Sequence, residues 1–148
     1  MRLETERLLL KPYKHEFADV IYPVVSQAEF AVFTKGNPEK YIGNCGLVSI
    51  SNSHQKAEIA YFIDKNEWGK GYATEVASFM IGYGFEKLGL ERIYGRCMSR
   101  NPASRKVMEK IGFQFEGTLR HDVKKGREFE DLDLLSILRS DFEELYGV

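Results

Sequence analysis

The first chemistry legible in this sequence lies at a glycine-bearing corner. The apolar stretch Ala57-Glu58-Ile59-Ala60-Tyr61-Phe62-Ile63 runs into Asn66-Glu67-Trp68-Gly69-Lys70-Gly71-Tyr72-Ala73-Thr74-Glu75. A strand that turns through glycines into a helix start presents backbone N–H groups and the positive end of the helix dipole, and glycine lets an anion approach closely. Such a corner suits phosphate or pyrophosphate, with Lys70 adding a point charge. It is not a P-loop, because GxxxxGK followed by Ser or Thr is absent, which argues against an ATP-dependent transferase. Nor is it a dinucleotide fingerprint, because Thr74 stands at the third glycine position. The same residues also describe an ordinary tight strand–helix turn, and the loop alone leaves both readings open.

Other reactive residue types give less. Cys45 and Cys97 form no CxxC pair and read as free thiols packed in strands. His15, His54 and His121 are far apart and show no metal-ligand spacing, so no metal is expected. The acidic run Glu128-Phe129-Glu130-Asp131-Leu132-Asp133 could draw a cationic substrate or simply form a solvated strand edge.

The elements around the corner follow from pattern. Leu8-Leu9-Leu10 reads as a short buried strand ending at Pro12, and residues 16–25 as a helix interrupted by Pro23. Residues 28–34 are aromatic and β-branched, which predicts a strand. Turns at Gly36-Asn37-Pro38 and Ser51-Asn52-Ser53 bound strands over 41–50 and 57–63, an antiparallel meander. Ala73, Val76, Ala77 and Met80 recur at helical spacing, with Gly82 and Gly84 implying close packing and Gly89 the end. A strand over 92–98 follows. Asn101-Pro102 opens a second helix with Ala103, Val107 and Ile111 inward and Gly112 as its cap. Strands over 113–115 and 129–138 close the chain, with a break at Gly117 and a turn at Lys124-Lys125-Gly126. The order is several strands and then βαβαββ, an α/β (α+β) sheet covered by helices.

The length, 148 residues, fits a single domain over 1–148. With 21 basic and 22 acidic residues the net charge is -1, which gives no basic excess for nucleic acid and no reason to expect a membrane surface. The first residues alternate in charge and no apolar run is long enough to cross a bilayer, so a cytoplasmic protein is expected.

Taken in order, the motifs resemble the GCN5-related N-acetyltransferase (GNAT) superfamily, and within it the branch that acetylates ribosomal-protein N-termini (RimJ/RimL-like). They are Thr5-Glu6-Arg7-Leu8-x-Leu10-Lys11-Pro12, Tyr41-Ile42-Gly43, Gly46-Leu47, Ala57-Glu58-Ile59-Ala60-Tyr61, and Trp68-Gly69-Lys70-Gly71-Tyr72-Ala73-Thr74-Glu75. Asn101-Pro102-Ala103-Ser104, Lys110-Ile111-Gly112-Phe113 and Glu116-Gly117-Thr118-Leu119-Arg120 complete the series. The resemblance implies a mixed, mostly antiparallel sheet with a central splay and helices on both faces. It implies acetyl-CoA as cosubstrate, an amine acceptor, and direct transfer through a ternary complex; a homodimer is possible.

The resemblance also implies roles. Gly69, Lys70, Gly71, Tyr72, Ala73 and Thr74 would hold the pyrophosphate. Phe62, Ile63 and Asp64 would pair with the pantetheine arm where strand 58–64 splays from strand 92–98, a strand edge taking a partner. Asn101 would bond the same arm, and Ser104 would return a proton to the leaving thiolate. A backbone N–H of strand 58–64 would carry the oxyanion. Glu58 is the candidate base, with His121 and Asp122 as alternatives. An α-amino acceptor (pKa about 7.7–8.0) is neutral more readily than lysine (about 10.4). Trp68 and Tyr72 are expected as packing anchors, with contact to the adenine as the other reading.

The sequence departs from relatives at four places. Asn66 replaces an Arg or Gln, Met108 stands where many members carry a tyrosine acid, and Val123 falls where the ribosomal branch places a base. Only residues 15–27 fill a stretch that usually holds two helices, which implies an abbreviated acceptor side, open or completed by a second subunit. The same abbreviation makes a non-catalytic acyl-CoA-binding module the alternative.

Overall fold

The computed structural model of the chain describes residues 3–12 and 28–147. His15 and the helix expected over 16–25 lie outside the described residues. The elements are β1 (Leu3–Glu4), β2 (Leu8–Pro12), β3 (Ala28–Thr34), β4 (Tyr41–Ser51), β5 (Lys56–Ile63), α1 (Tyr72–Glu86), β6 (Arg92–Met98), α2 (Pro102–Ile111), β7 (Gln114–Lys125), β8 (Glu128–Leu138) and α3 (Arg139–Tyr146). The strands form one sheet in the order β1-β2-β3-β4-β5-β6-β8-β7. Every neighbouring pair is antiparallel except β5 with β6.

The three described helices pack on one face. A Cβ at Gly84 of α1 would stand 2.7 Å from Ile93 Cδ1 and 2.9 Å from Leu47 Cδ1. A Cβ at Gly95 of β6 would stand 2.5 Å from Met108 Sδ of α2. Ile93 and Gly95 are two apart on one strand and so share a face. Phe142 of α3 packs on Phe85 of α1 with ring centroids 5.0 Å apart. Beneath these helices lies the core, including Phe30, Val32, Leu47, Ile59, Val76, Met80, Ile93 and Met108, all buried. Each such side chain contributes about 1.5–3 kcal/mol when taken out of water.

The sheet opens at its centre. The parallel pairing of β5 and β6 runs only through Lys56↔Arg92, Ala57↔Ile93 and Glu58↔Tyr94. Beyond Glu58 the two strands part, while β5 stays paired with β4 as far as Gly43↔Ile63. Residues 59–63 thus keep one free edge, and Glu58 sits at the apex of the splay.

Several expectations change. A strand ending near 115 becomes the long β7, which continues through Gly117 with a register shift between Phe115 and Gly117. No Cβ clash exists at Gly117, so the bulge absorbs the irregularity rather than ending the strand. On α2 the buried residues are Met108 and Ile111, while Ala103 is exposed. Helix α1 stops at Glu86, three residues before the left-handed Gly89. Neither β1 nor α3 is evident in the sequence pattern. The last helix is tied by Arg139 Nη2 to the carbonyls of Phe85 (2.8 Å) and Leu90 (2.7 Å), and by Tyr146 Oη to that of Ile111 (2.8 Å). The acidic run is no edge, because β8 lies between β6 and β7 and Asp133 is buried.

Candidate active site

Gly69 and Gly71 take φ of +79° and +83°, the left-handed region that costs other residues about 1 kcal/mol or more. This turn delivers the chain into α1 with Gly71 as a cap that makes no side-chain bond. Among the described residues the N–H groups of residues 69–74 have no backbone partner. Apart from Lys70, these residues line a groove of about 520 Å³ whose walls also include Phe62, Ile63, Asn101 and Ser104. A row of unpartnered donors at a helix start is a cradle for an extended anion.

Thr5 and Arg7 brace the cradle from behind. The Arg7 N–H and its Nε donate to Glu75 of α1 at 2.9 and 2.8 Å, and Thr5 Oγ1 donates to the same carboxylate at 2.5 Å. Burial pushes the Glu75 carboxyl up, but these three bonds outweigh it and hold the group below its ordinary value. The Arg7 guanidinium also lies 4.6 Å over the Tyr72 ring. The opening motif and the glycine loop are therefore one structural unit, although Arg7 and Glu75 lie 68 residues apart in the chain.

Lys70 is committed elsewhere: its ammonium lies 2.6 Å from Glu67 Oε2, while Lys40 holds Glu67 Oε1 at 2.5 Å. The Glu67 side chain is 4% exposed, and the bonds from Lys40 and Lys70 hold its carboxyl low. The lysine expected to add a point charge for the anion is paired with Glu67 in this structure. Asp64 also stands outside the groove lining; its N–H donates to Ile42 O (2.7 Å) and its carboxylate accepts from Asn66 N (3.3 Å). Trp68 is 64% exposed and so is no packing anchor. It borders the groove and its indole N–H donates to Ile63 O at 2.7 Å, which engages one of the backbone carbonyls at the strand edge.

Asn101 occupies the cap position of α2, yet its side chain makes no capping bond and borders the groove. Ser104 lies one turn on. Tyr61 Oη is 3.3 Å from both Ser104 Oγ and Ser104 O. Burial pushes the Tyr61 phenol up, partly offset by its bond to Ser104. Tyr61 and Ser104 also line a second cavity of about 300 Å³, together with Glu58, Ala60, Gly95 and Arg96. The groove thus continues through the splay, with Tyr61 and Ser104 at the junction and Glu58 beyond it.

Glu58 is not free. Arg96 Nε and Nη2 reach its two oxygens at 2.7 and 3.1 Å, and Arg96 Nη1 reaches Asp122 Oδ2 at 2.9 Å. The bonds to Glu58, then to Asp122, push the guanidinium pKa up. Two of the three candidate bases therefore share one arginine. His121 instead stacks its ring on Phe129 at 5.5 Å, and its backbone N–H donates to Asp131 Oδ1 at 2.8 Å. Sequence reasoning missed Tyr61, Arg96 and Arg7 as site residues; their partners lie on other strands, and no local spacing marks them. Cys45 and Cys97 are free and buried, and burial pushes the Cys45 thiol up to about 12. Among the described residues no cluster of His, Cys, Asp and Glu is arranged to hold a metal ion, and no helix is long and apolar enough to cross a membrane.

The chain is 40% identical over 116 residues to the probable N-acetyltransferase YjcK of Bacillus subtilis (strain 168), covering 78% of this chain and 64% of the relative. It is 38% identical over 102 residues to the putative ribosomal N-acetyltransferase YdaF of the same organism, covering 67% and 56%. The chain spans about three fifths of the length of the curated relatives it matches first. Among solved structures, mutant forms of the spermidine/spermine N-acetyltransferase SpeG from Vibrio cholerae superpose with a TM-score of 0.80 at 25% identity, covering 88% of this chain and 77% of that one. The acetyltransferase (GNAT) domain family matches residues 14–114, more than half of the sequence, and the chain belongs to that family.

Proposed function

We propose that this protein is an N-acetyltransferase that takes acetyl-CoA as cosubstrate and passes the acetyl group directly to an amine in a ternary complex. The observation that carries the reading is the row of unpartnered N–H groups at 69–74, opening into a groove that runs along the free edge of β5 to the splay. The cradle accepts the pyrophosphate, with Gly69 and Gly71 bare so that the backbone can approach it. The free edge of β5 near Phe62 and Ile63 takes the pantetheine amides, and the uncommitted Asn101 amide bonds the same arm. Asp64 supports this edge through its bond to β4.

At the splay an amine attacks the thioester carbonyl. An N–H on the free edge of β5 carries the charge that develops on oxygen. Ser104 returns a proton to the departing sulfur, and Tyr61 orients the Ser104 hydroxyl. Glu58 receives the proton from the attacking amine.

The acceptor is an amine on a protein N-terminus or a small molecule; relatives named for ribosomal and for spermidine acetylation bracket this range. Membership of the RimJ/RimL-like branch, a cytoplasmic setting and pairing with a second copy belong to the same proposal. The test is release of free thiol from acetyl-CoA across a panel of amine acceptors. Acceptor-dependent release in the wild type, strongly reduced in Ser104→Ala with acetyl-CoA affinity little changed, supports the reading. Absence of release with every acceptor, alongside tight acetyl-CoA binding, would overturn it in favour of a binding module.

A further inference from the structure

Arg96 stands beside Glu58, the residue proposed to receive the acceptor's proton. Its fork occupies both oxygens of Glu58, and its remaining nitrogen touches Asp122. The three residues come from β5, β6 and β7, and the two carboxylates differ in setting. The Glu58 side chain is 13% exposed and lines the splay cavity, whereas that of Asp122 is 31% exposed. A carboxylate closed by a bidentate guanidinium has its best acceptor directions filled. An amine that pairs with Glu58 along these same directions has to displace Arg96. Asp122 supplies the alternative position: the guanidinium already touches it, so a change of side-chain torsions moves the fork without leaving the positive charge unpaired.

We propose that Arg96 is a substrate-displaced counter-ion, closing Glu58 in the free protein and shifting to Asp122 when a cationic amine takes its place. The inference rests on the N-acetyltransferase reading for its meaning, and makes Arg96 and Asp122 positioning residues that set acceptor affinity. Charge stays balanced throughout: one cation leaves Glu58 as another arrives, and the displaced one pairs with Asp122. A neutral molecule gains nothing from the exchange, so the site favours acceptors that arrive protonated.

The test is a nitrogen-15 NMR titration with propylamine, a cationic primary amine at pH 7, in the presence of CoA. It follows the backbone amides around Glu58 and the Arg96 Nε–H, and it reads binding alone. Arg96→Gln should bind propylamine about threefold more tightly, the scale of a partly exposed ion pair. Asp122→Asn, which leaves the guanidinium nowhere to retreat, should bind it about threefold more weakly. Glu58→Gln should lose the site. Arg96→Lys keeps the charge without the fork and should shift affinity the same way as Arg96→Gln but less, which covers a glutamine variant that does not fold. Unchanged or weaker binding in the Arg96 variants, or unchanged or tighter binding in Asp122→Asn, would overturn the exchange. A protein that releases no thiol yet shows the opposite-signed shifts would retain this amine site while losing the transferase reading.

Discussion

Replacing Asp133 by alanine should release the start of α2 from the sheet. Asp133 is 6% exposed, and its Oδ1 accepts from Ser99 Oγ at 2.7 Å and Thr118 Oγ1 at 2.9 Å. Its Oδ2 accepts from Arg105 Nη1 at 3.2 Å. The three donors belong to the loop before α2, to β7 and to α2 itself. Hydrogen bonds to a charged group contribute about 1.5–3 kcal/mol each, and stripping one partner from a buried pair costs about 3–5 kcal/mol. Arg105 keeps Glu109 as a second partner and is one third exposed, which puts the expected loss at the lower end, about 3 kcal/mol. Asp133→Asn still accepts from Ser99 and Thr118 but turns an amide toward Arg105, so about 1–2 kcal/mol is expected. Urea unfolding at pH 7 measures both. Because Asn101 follows Ser99 by two residues, acetyl-CoA affinity should fall with stability in the alanine variant. A loss below about 1 kcal/mol in Asp133→Ala, or an asparagine variant as unstable as the alanine one, would refute the reasoning.

Other outcomes follow from the same geometry. Gly71→Glu places a side chain and a negative charge in the cradle and should abolish acetyl-CoA binding, read from the fluorescence of Trp68, the one tryptophan, at the groove wall; an unchanged titration would remove the cradle from the account. Gly84→Ala gains about 1 kcal/mol of helix propensity but presses on Ile93 and Leu47, an overpacking of about 1–3 kcal/mol, so a net loss is expected on urea unfolding and a net gain would contradict it. Asp133, held by Ser99, Thr118 and Arg105, and Glu116, held by Arg92 and Ser136, lie below the ordinary carboxylate range, as does Glu75. Groups depressed in the folded state stabilise it fully above the unfolded value of about 4, and that stability is lost as pH falls through the folded values. Stability should therefore hold from neutral pH down to about 5 and drop below it, less steeply in Asp133→Asn; a flat profile to pH 3 would contradict this.

What the sequence made legible is local. Residues 28–34 and 92–98 are read as strands from composition alone, and Asn101-Pro102 and Gly112 mark the ends of α2 because start and stop chemistry is short-range. The glycine corner is visible for the same reason. On α2 Ile111 is buried and Val107 packs against the core as the spacing predicts, whereas Ala103 is exposed and lines the groove, because a groove wall and a core wall look alike in periodicity. Long-range pairings stayed hidden: Arg96 with Glu58 and Asp122, Arg7 with Glu75, Tyr61 with Ser104. Each joins residues 26 or more apart in the chain, where nothing in the spacing selects one partner over another. The splay itself arises because β5 and β6 pair over three rungs and then part, a property of two strands together that neither strand's pattern contains.

The central claim is that the groove and the splay deliver an acetyl group straight to an amine. Acetyl-CoA labelled with carbon-13 in its acetyl group, incubated with the protein and the preferred acceptor, tests it most directly, with the destination of the label read by mass spectrometry. The account predicts one acetylated amine for each CoA released and no label on the protein. Label on Ser104, Cys97 or any other side chain of the chain, or free acetate in place of acetylated amine, would contradict it.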